Sequence, residues 1–345
     1  MADLLKPGAD MVLRLLSFVV MLLIVPPQVW AQQRLPIIDM HLHAYAADEN
    51  GPPPLGLCVP VLSHLSPLDP NREVFKHPVA KAPLCSDPIW SPVTDQALME
   101  QTIRVLERRN IVGVLSGPPD RVRHWHEAAP RRFIPSVEFQ LGPNAPSPEA
   151  LRRLFKDGPF AVLGEVANQY VGIAPDDERM EPFWALAEQL DIPVAIHMGE
   201  GPAGAAYLFP TYRARLTSPY LLEEVLIRHP RLRVSVMHCG SPLIDAMIAM
   251  LGAYPQLYVD IGGIQWFYPR AYFHQQLRKF IDAGFGKRVM FGSDQMVWPG
   301  VIEPAIAIIE EAPFLSQEQK RDIFYNNAAR FLRLSKEDIA RHHKR

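Results

Sequence analysis

Asp39-Met40-His41-Leu42-His43 closes an apolar run over residues 35–38 and sets two imidazoles two residues apart. Side chains alternate faces along an extended strand, so His41 and His43 project the same way and can chelate one metal ion. Asp39 would share that face, one step deeper. An isolated His-x-His also occurs as a pair of surface or capping histidines. What gives this one weight is the rest of the chain, where apolar strands repeatedly end in a polar side chain.

From residue 93 onward, hydrophobic periodicity alternates between strand and helix. Helices are expected over 93–109, 147–156, 179–190, 219–228, 243–251 and 270–282, with more after the last strand. Strands are expected over 111–116, 133–139, 161–167, 192–199, 233–240, 257–263 and 288–293, and no helix is assigned between the first two of these. With the His-x-His strand this makes eight. Near-continuous apolar strands separated by helices indicate parallel pairing buried on both faces. The expected fold is therefore α/β, a closed (β/α)8 TIM barrel, which needs ~250 residues and gathers active-site groups at the C-terminal strand ends. An open, doubly wound sheet is the alternative, but no Gly-x-Gly-x-x-Gly follows any strand.

On that barrel Glu165 ends the fourth strand, His197 the fifth, His238 the sixth and Asp294 the eighth. A lone histidine on an apolar strand is usually a satisfied core residue. Four such ends coinciding with a His-x-His at the first are hard to attribute to packing, because the strand ends of a closed barrel converge on one mouth.

The motifs Ile38-Asp39-Met40-His41-Leu42-His43, Ile196-His197-Met198-Gly199, Met237-His238-Cys239-Gly240, Phe291-Gly292-Ser293-Asp294 and Tyr325-Asn326-Asn327-Ala328-Ala329-Arg330-Phe331-Leu332 stand at the expected places. In these the chain resembles the amidohydrolase superfamily over residues 36–334, specifically the branch related to aminocarboxymuconate-semialdehyde decarboxylase. The resemblance implies that His41, His43, His197 and Asp294 bind a divalent metal, usually zinc, and that His238 assists proton transfer or polarises the substrate. It also implies that Glu165, where many relatives carry a carboxylated lysine, bridges a second metal or accepts a proton. One ion, or two, is the expected cofactor.

The chemistry of the residues agrees. Neutral imidazoles with a carboxylate and an open position suit Zn²⁺, which can lower the pKa of a bound water to ~7. Asp294 can bind through one oxygen and take a proton with the other, while His238 can hydrogen-bond the oxygen on which charge develops. Decarboxylase-like members commonly carry a proline soon after His-x-His, whereas Ala44-Tyr45-Ala46-Ala47 follows here. The leading expectation is hydrolysis of a small ester, lactone or amide. Decarboxylation of an aromatic or unsaturated acid is the alternative, and a barrel that binds without turnover is the third. Asn168, Gln169, Tyr170, Glu200, Gln265, Trp266, Phe267 and Tyr268 fall where the mouth should be, and Arg213 and Arg215 can either meet a substrate carboxylate or simply face water.

The 345 residues carry a net charge of -2 and no Lys/Arg cluster, which argues against nucleic acid and leaves a small molecule as the expected partner. A homo-oligomer stays open. Ten of the 35 prolines fall within residues 46–92, a stretch without helical or alternating periodicity. It is expected to be a long ordered loop or lid leaving the His-x-His strand. Cys58 and Cys85 lie inside it and can form a disulfide in an oxidising compartment, while Cys239 ends an apolar strand. At the start, Lys6 and Arg14 precede an apolar run over 15–25, and Val29-Trp30-Ala31 supplies a cleavage-like site. Residues 1–31 therefore read as a signal peptide, leaving a mature chain 32–345 with no stable membrane span, in the periplasm or outside the cell.

Overall fold

The structure, a computed structural model, describes residues 34–65, 71 and 82–344. The segment 1–31, read as a signal peptide, lies outside the described residues. Ten strands occur among them: β1 (Ile37–His43), β2 (Gly56–Leu57), β3 (Ile89–Trp90), β4 (Ile111–Ser116), β5 (Phe133–Phe139), β6 (Val162–Val166), β7 (Val194–His197), β8 (Val234–Met237), β9 (Leu257–Asp260) and β10 (Val289–Met290). All except β2 and β3 pair in parallel, in chain order from β1 through β4 to β10. Met40 N–H donates to Phe291 O at 2.9 Å and Asp294 N–H to His41 O at 2.8 Å, which joins the two edge strands. The result is a nearly closed eight-stranded TIM barrel with helices between its strands, as the alternating pattern predicts.

The inside of the barrel has two levels. Ile38, Met40, Val114, Val162, Ala195, Met237 and Met290, with the partly buried Ile134 and Tyr258, form one apolar cluster to which every barrel strand contributes. Tyr325, Ala328, Ala329 and Phe331 belong to the same cluster, and Leu332, Leu334 and Ile339 pack against it. The helical segment after β10 thus floors the barrel. Above that floor the interior turns polar.

Two β-bulges make the change. Asp39 pairs with Gly113 and Leu42 with Leu115, so β1 spends three steps where β4 spends two. In β6, the three steps from Leu163 to Val166 face two steps in both β5 and β7. One extra residue shifts the alternation by one and re-aims the side chains beyond it. A strand that begins with Ile38 or Val162 inward therefore ends with His41 and His43, or Glu165, inward. Simple alternation puts Asp39 on the face of His41. Instead Asp39 is fully buried, and its Oδ1 accepts from the backbone N–H groups of His41 at 3.0 Å and Ser293 at 2.8 Å.

Other sequence expectations need adjustment. A helix, Pro119–Ala128, lies between β4 and β5 where none was assigned. Its Pro-Pro start and charged surface hide a short apolar stripe, Val122 and Trp125, one turn apart. β7 and β10 are also shorter than their apolar runs. Within 46–92, β2 pairs antiparallel with β3, a 3-10 turn covers Val61–His64, and Cys58 is bonded to Cys85 with Cα atoms 5.7 Å apart. Trp298 Nε1–H donates to Leu55 O at 2.9 Å, tying this stretch to the chain beyond β10. No helix among the described residues is long and apolar enough to cross a membrane.

Candidate metal centre

Four donor atoms from three strand ends meet above the apolar floor. His41 Nε2 lies 3.5 Å from both Glu165 Oε2 and Asp294 Oδ1, and His43 Nε2 lies 3.4 Å and 3.1 Å from the same two oxygens. Donors held 2.0–2.1 Å from a tetrahedral ion stand about 3.4 Å apart, so each of these contacts is of the length two ligands of one cation would show. Two metal-capable triads result, His41 with His43 and Asp294, and His41 with Glu165 and His238. His41 Nε2 is itself buried with no hydrogen-bond partner, as expected of a lone pair that faces an ion.

The electrostatics point the same way. Burial opposes a charged His41, yet the carboxylates of Asp294 and Asp260 outweigh it and raise its pKa well above the ordinary imidazole value. Burial likewise pushes Glu165 and Asp294 up. The hydrogen bond from His197 and the nearby imidazole of His41 hold Glu165 well below its usual range nonetheless, and His41 and His43 do the same for Asp294. The carboxylates remain ionised and call for positive charge among them, which a divalent ion supplies. The residues present therefore fit a divalent metal.

The supports of these donors are equally specific. Asp260 Oδ1 lies 3.3 Å from His41 Nδ1, which makes that nitrogen the protonated one and leaves Nε2 free as a donor. Gln295 clamps His43 by its backbone, accepting from its N–H at 2.9 Å and donating to its C=O at 2.6 Å. Ser116 Oγ accepts from Glu165 N–H at 2.6 Å and donates to Gly164 O at 2.7 Å, fixing the bulge that turns Glu165 inward. Asp294 and His238 both hold left-handed backbone, with φ of 52° and 56°, a conformation costly outside glycine. Gly263, with φ of 77°, stands against both. A Cβ there would lie 2.7 Å from Asp294 Oδ2 and 3.2 Å from His238 Nδ1.

His197 and His238 complete the group. His197 Nδ1 sits 2.6 Å from Glu165 Oε1, and its Nε2 is buried without a partner. His197 therefore joins the four donors through Glu165. His238 Nδ1 lies 2.8 Å from Gly262 O, an acceptor only, so Nδ1 carries the proton and Nε2 presents a lone pair, 3.0 Å from His197 Nδ1. Burial, with His197 and His41 nearby, lowers its pKa to about 4. This resting tautomer accepts hydrogen bonds at Nε2.

The other mouth residues sort clearly. Gln169 Nε2 donates to Gly199 O at 2.8 Å and Thr217 Oγ1 at 2.9 Å, and so holds loops together. Trp266 is buried and donates to Ser293 O at 2.8 Å; Tyr268 is buried and donates to Glu200. Both pack the mouth. Arg213 is exposed and spends its guanidinium on Pro210 O and Tyr212 O, and Arg215 is exposed too. Asp260 and Gln295 escaped sequence reading. Asp260 had a signal, being the one carboxylate that ends the apolar run of β9, whereas Gln295 had none.

The amidohydrolase family profile matches residues 38–334. In fold, the chain is similar to an uncharacterized TIM-barrel protein from Bordetella bronchiseptica, at 20% identity over 71% of this chain and 83% of that one, with a TM-score of 0.53. A probable 2-pyrone-4,6-dicarboxylic acid hydrolase from Acinetobacter baumannii with citric acid bound aligns at 16% identity over 87% and 100%, with a TM-score of 0.54. A dihydroxybenzoic acid decarboxylase from a Polaromonas species, with bound manganese and the inhibitor 2-nitroresorcinol, aligns at 17% identity over 69% and 87%, with a TM-score of 0.50. Likeness at these identities speaks for the barrel. No curated protein sequence matches the chain. The family profile spans every strand end that carries a donor, and the chain belongs to the amidohydrolase family.

Proposed function

We propose that the protein is a metal-dependent hydrolase of a small ester, lactone or amide. The observation that carries this reading is the pair of buried triads that share His41, one with His43 and Asp294 and one with Glu165 and His238, each close enough to hold a divalent ion. Zinc is the first choice for such a nitrogen and oxygen set, and when bound it supplies Lewis acidity and makes a nearby water easier to deprotonate. Asp294, whose Oδ2 packs beside Gly263, takes the proton of the attacking water and returns it to the leaving group. His238 offers its Nε2 lone pair as a second acceptor beside it. His197 keeps Glu165 oriented and ionised through the 2.6 Å contact.

Decarboxylation remains the second reading, because the manganese-containing relative of similar fold is a decarboxylase. The absence of a proline after His43 and the glutamate on β6 favour hydrolysis. Turnover of aryl esters, lactones and amides in ¹⁸O-water decides between the two. Hydrolysis puts label into the product acid, while stoichiometric CO₂ release from an acid substrate would make the protein a decarboxylase.

We further propose that residues 1–31 direct export and are removed, which the apolar run over 15–25 and the Cys58–Cys85 bond support. Intact-mass measurement of the exported chain checks this; a retained first residue would refute it.

A further inference from the structure

Two acids at the mouth have no part in the steps above. Glu138 follows Ile134 and Ser136 on the inner face of β5, and Glu200 lies just beyond β7. Tyr45 stacks on His43, with ring centroids 4.4 Å apart and planes inclined by 22°, and its hydroxyl donates to Glu138 Oε1 at 3.3 Å. Glu138 thus stands across one tyrosine ring from a metal donor.

The charges around this space are unbalanced. Among the described residues, no lysine or arginine pairs with Glu138, Glu165, Glu200, Asp260 or Asp294; every ion pair in the group is to a histidine. A divalent ion offsets two negative charges, those of the donors Glu165 and Asp294. Three remain: Asp260, which faces His41 Nδ1, and Glu138 and Glu200, each with a tyrosine hydroxyl as partner. A buried carboxylate without a counter-charge is costly, and a second carboxylate brought by a substrate would add repulsion.

We propose that the substrate carries a cationic group beside the hydrolysable bond, and that Glu138, anchored by Tyr45, recognises it. The bond in question rests on the hydrolase reading; the preference for charge does not. The test uses metal-loaded protein and two probes of one shape, acetylcholine and its uncharged isostere 3,3-dimethylbutyl acetate. The expected kcat/KM favours the cation by at least ~10-fold, a modest share of what one ion pair supplies at a half-buried site. Glu138→Gln should bring the ratio close to one, and Glu138→Asp should keep the preference. Titration calorimetry with choline and 3,3-dimethyl-1-butanol reads the same ratio without turnover. Choline preference without ester hydrolysis would sink the hydrolase reading and leave this proposal standing. Hydrolysis or binding indifferent to charge, a ratio unchanged in Glu138→Gln, or no binding of either alcohol would overturn it.

Discussion

The two levels of the barrel interior are made by the same eight strands and have opposite chemistry. The floor, from Ile38 and Met40 through Met290 to Phe331, is apolar and packed from this chain alone. The mouth, one or two residues further along several of those strands, holds buried carboxylates and imidazoles whose atoms lack partners. The floor can be satisfied by this chain alone, whereas the mouth needs something brought from outside. Stability and chemistry are therefore separated along the barrel axis, and variants at the two levels should fail in different ways.

The sharpest separation is at the donors. Chelation, or His41→Ala, should reduce activity to background and remove the ion, with elemental analysis as the check. At a metal concentration ~1,000 times Kd, losing the ion also costs about 4 kcal/mol of stability, visible as a lower Tm. Full metal content in His41→Ala would place the centre elsewhere. On the floor, Phe331→Ala should cost ~3–5 kcal/mol in denaturant unfolding while metal content per folded molecule stays at the wild-type level. Loss of metal in that variant would mean the two levels are coupled. The smallest effect is expected at Asp260→Asn, which leaves His41 in place but weakens the fixing of its tautomer. Metal affinity should fall ~10-fold to 100-fold. An unchanged Kd for the metal would show that Asp260 does not orient His41.

What could be read in the sequence follows the same division. An apolar run that stops at a polar residue is visible as it stands, so the places of His41, His43, Glu165, His197, His238 and Asp294 at the strand ends were legible, and with them the barrel. The bulges were not visible, because one extra residue between Asp39 and Leu42 leaves no mark in composition; only pairing with β4 reveals it. For that reason Asp39, expected on the face of His41, proved to be a clasp between β1 and Ser293. The helix Pro119–Ala128 was missed since its stripe of Val122 and Trp125 is too short to give a period. Aromatic residues at the mouth carried two meanings that sequence cannot separate. Trp266 and Tyr268 turned inward to pack, while Tyr45 came to lie flat on His43.

The floor also has a consequence for the order in which the molecule can be assembled. Every donor of the metal cluster lies at or before Asp294, but the residues that stop the other end of the barrel run from Tyr325 to Ile339. During synthesis from the N-terminal side, the centre is therefore fully encoded in the emerging chain some thirty residues before its barrel can be shut against water. A chain cut short in that interval would carry every donor and lack the helices that close the base, so truncation there would separate loss of the floor from loss of the ligands.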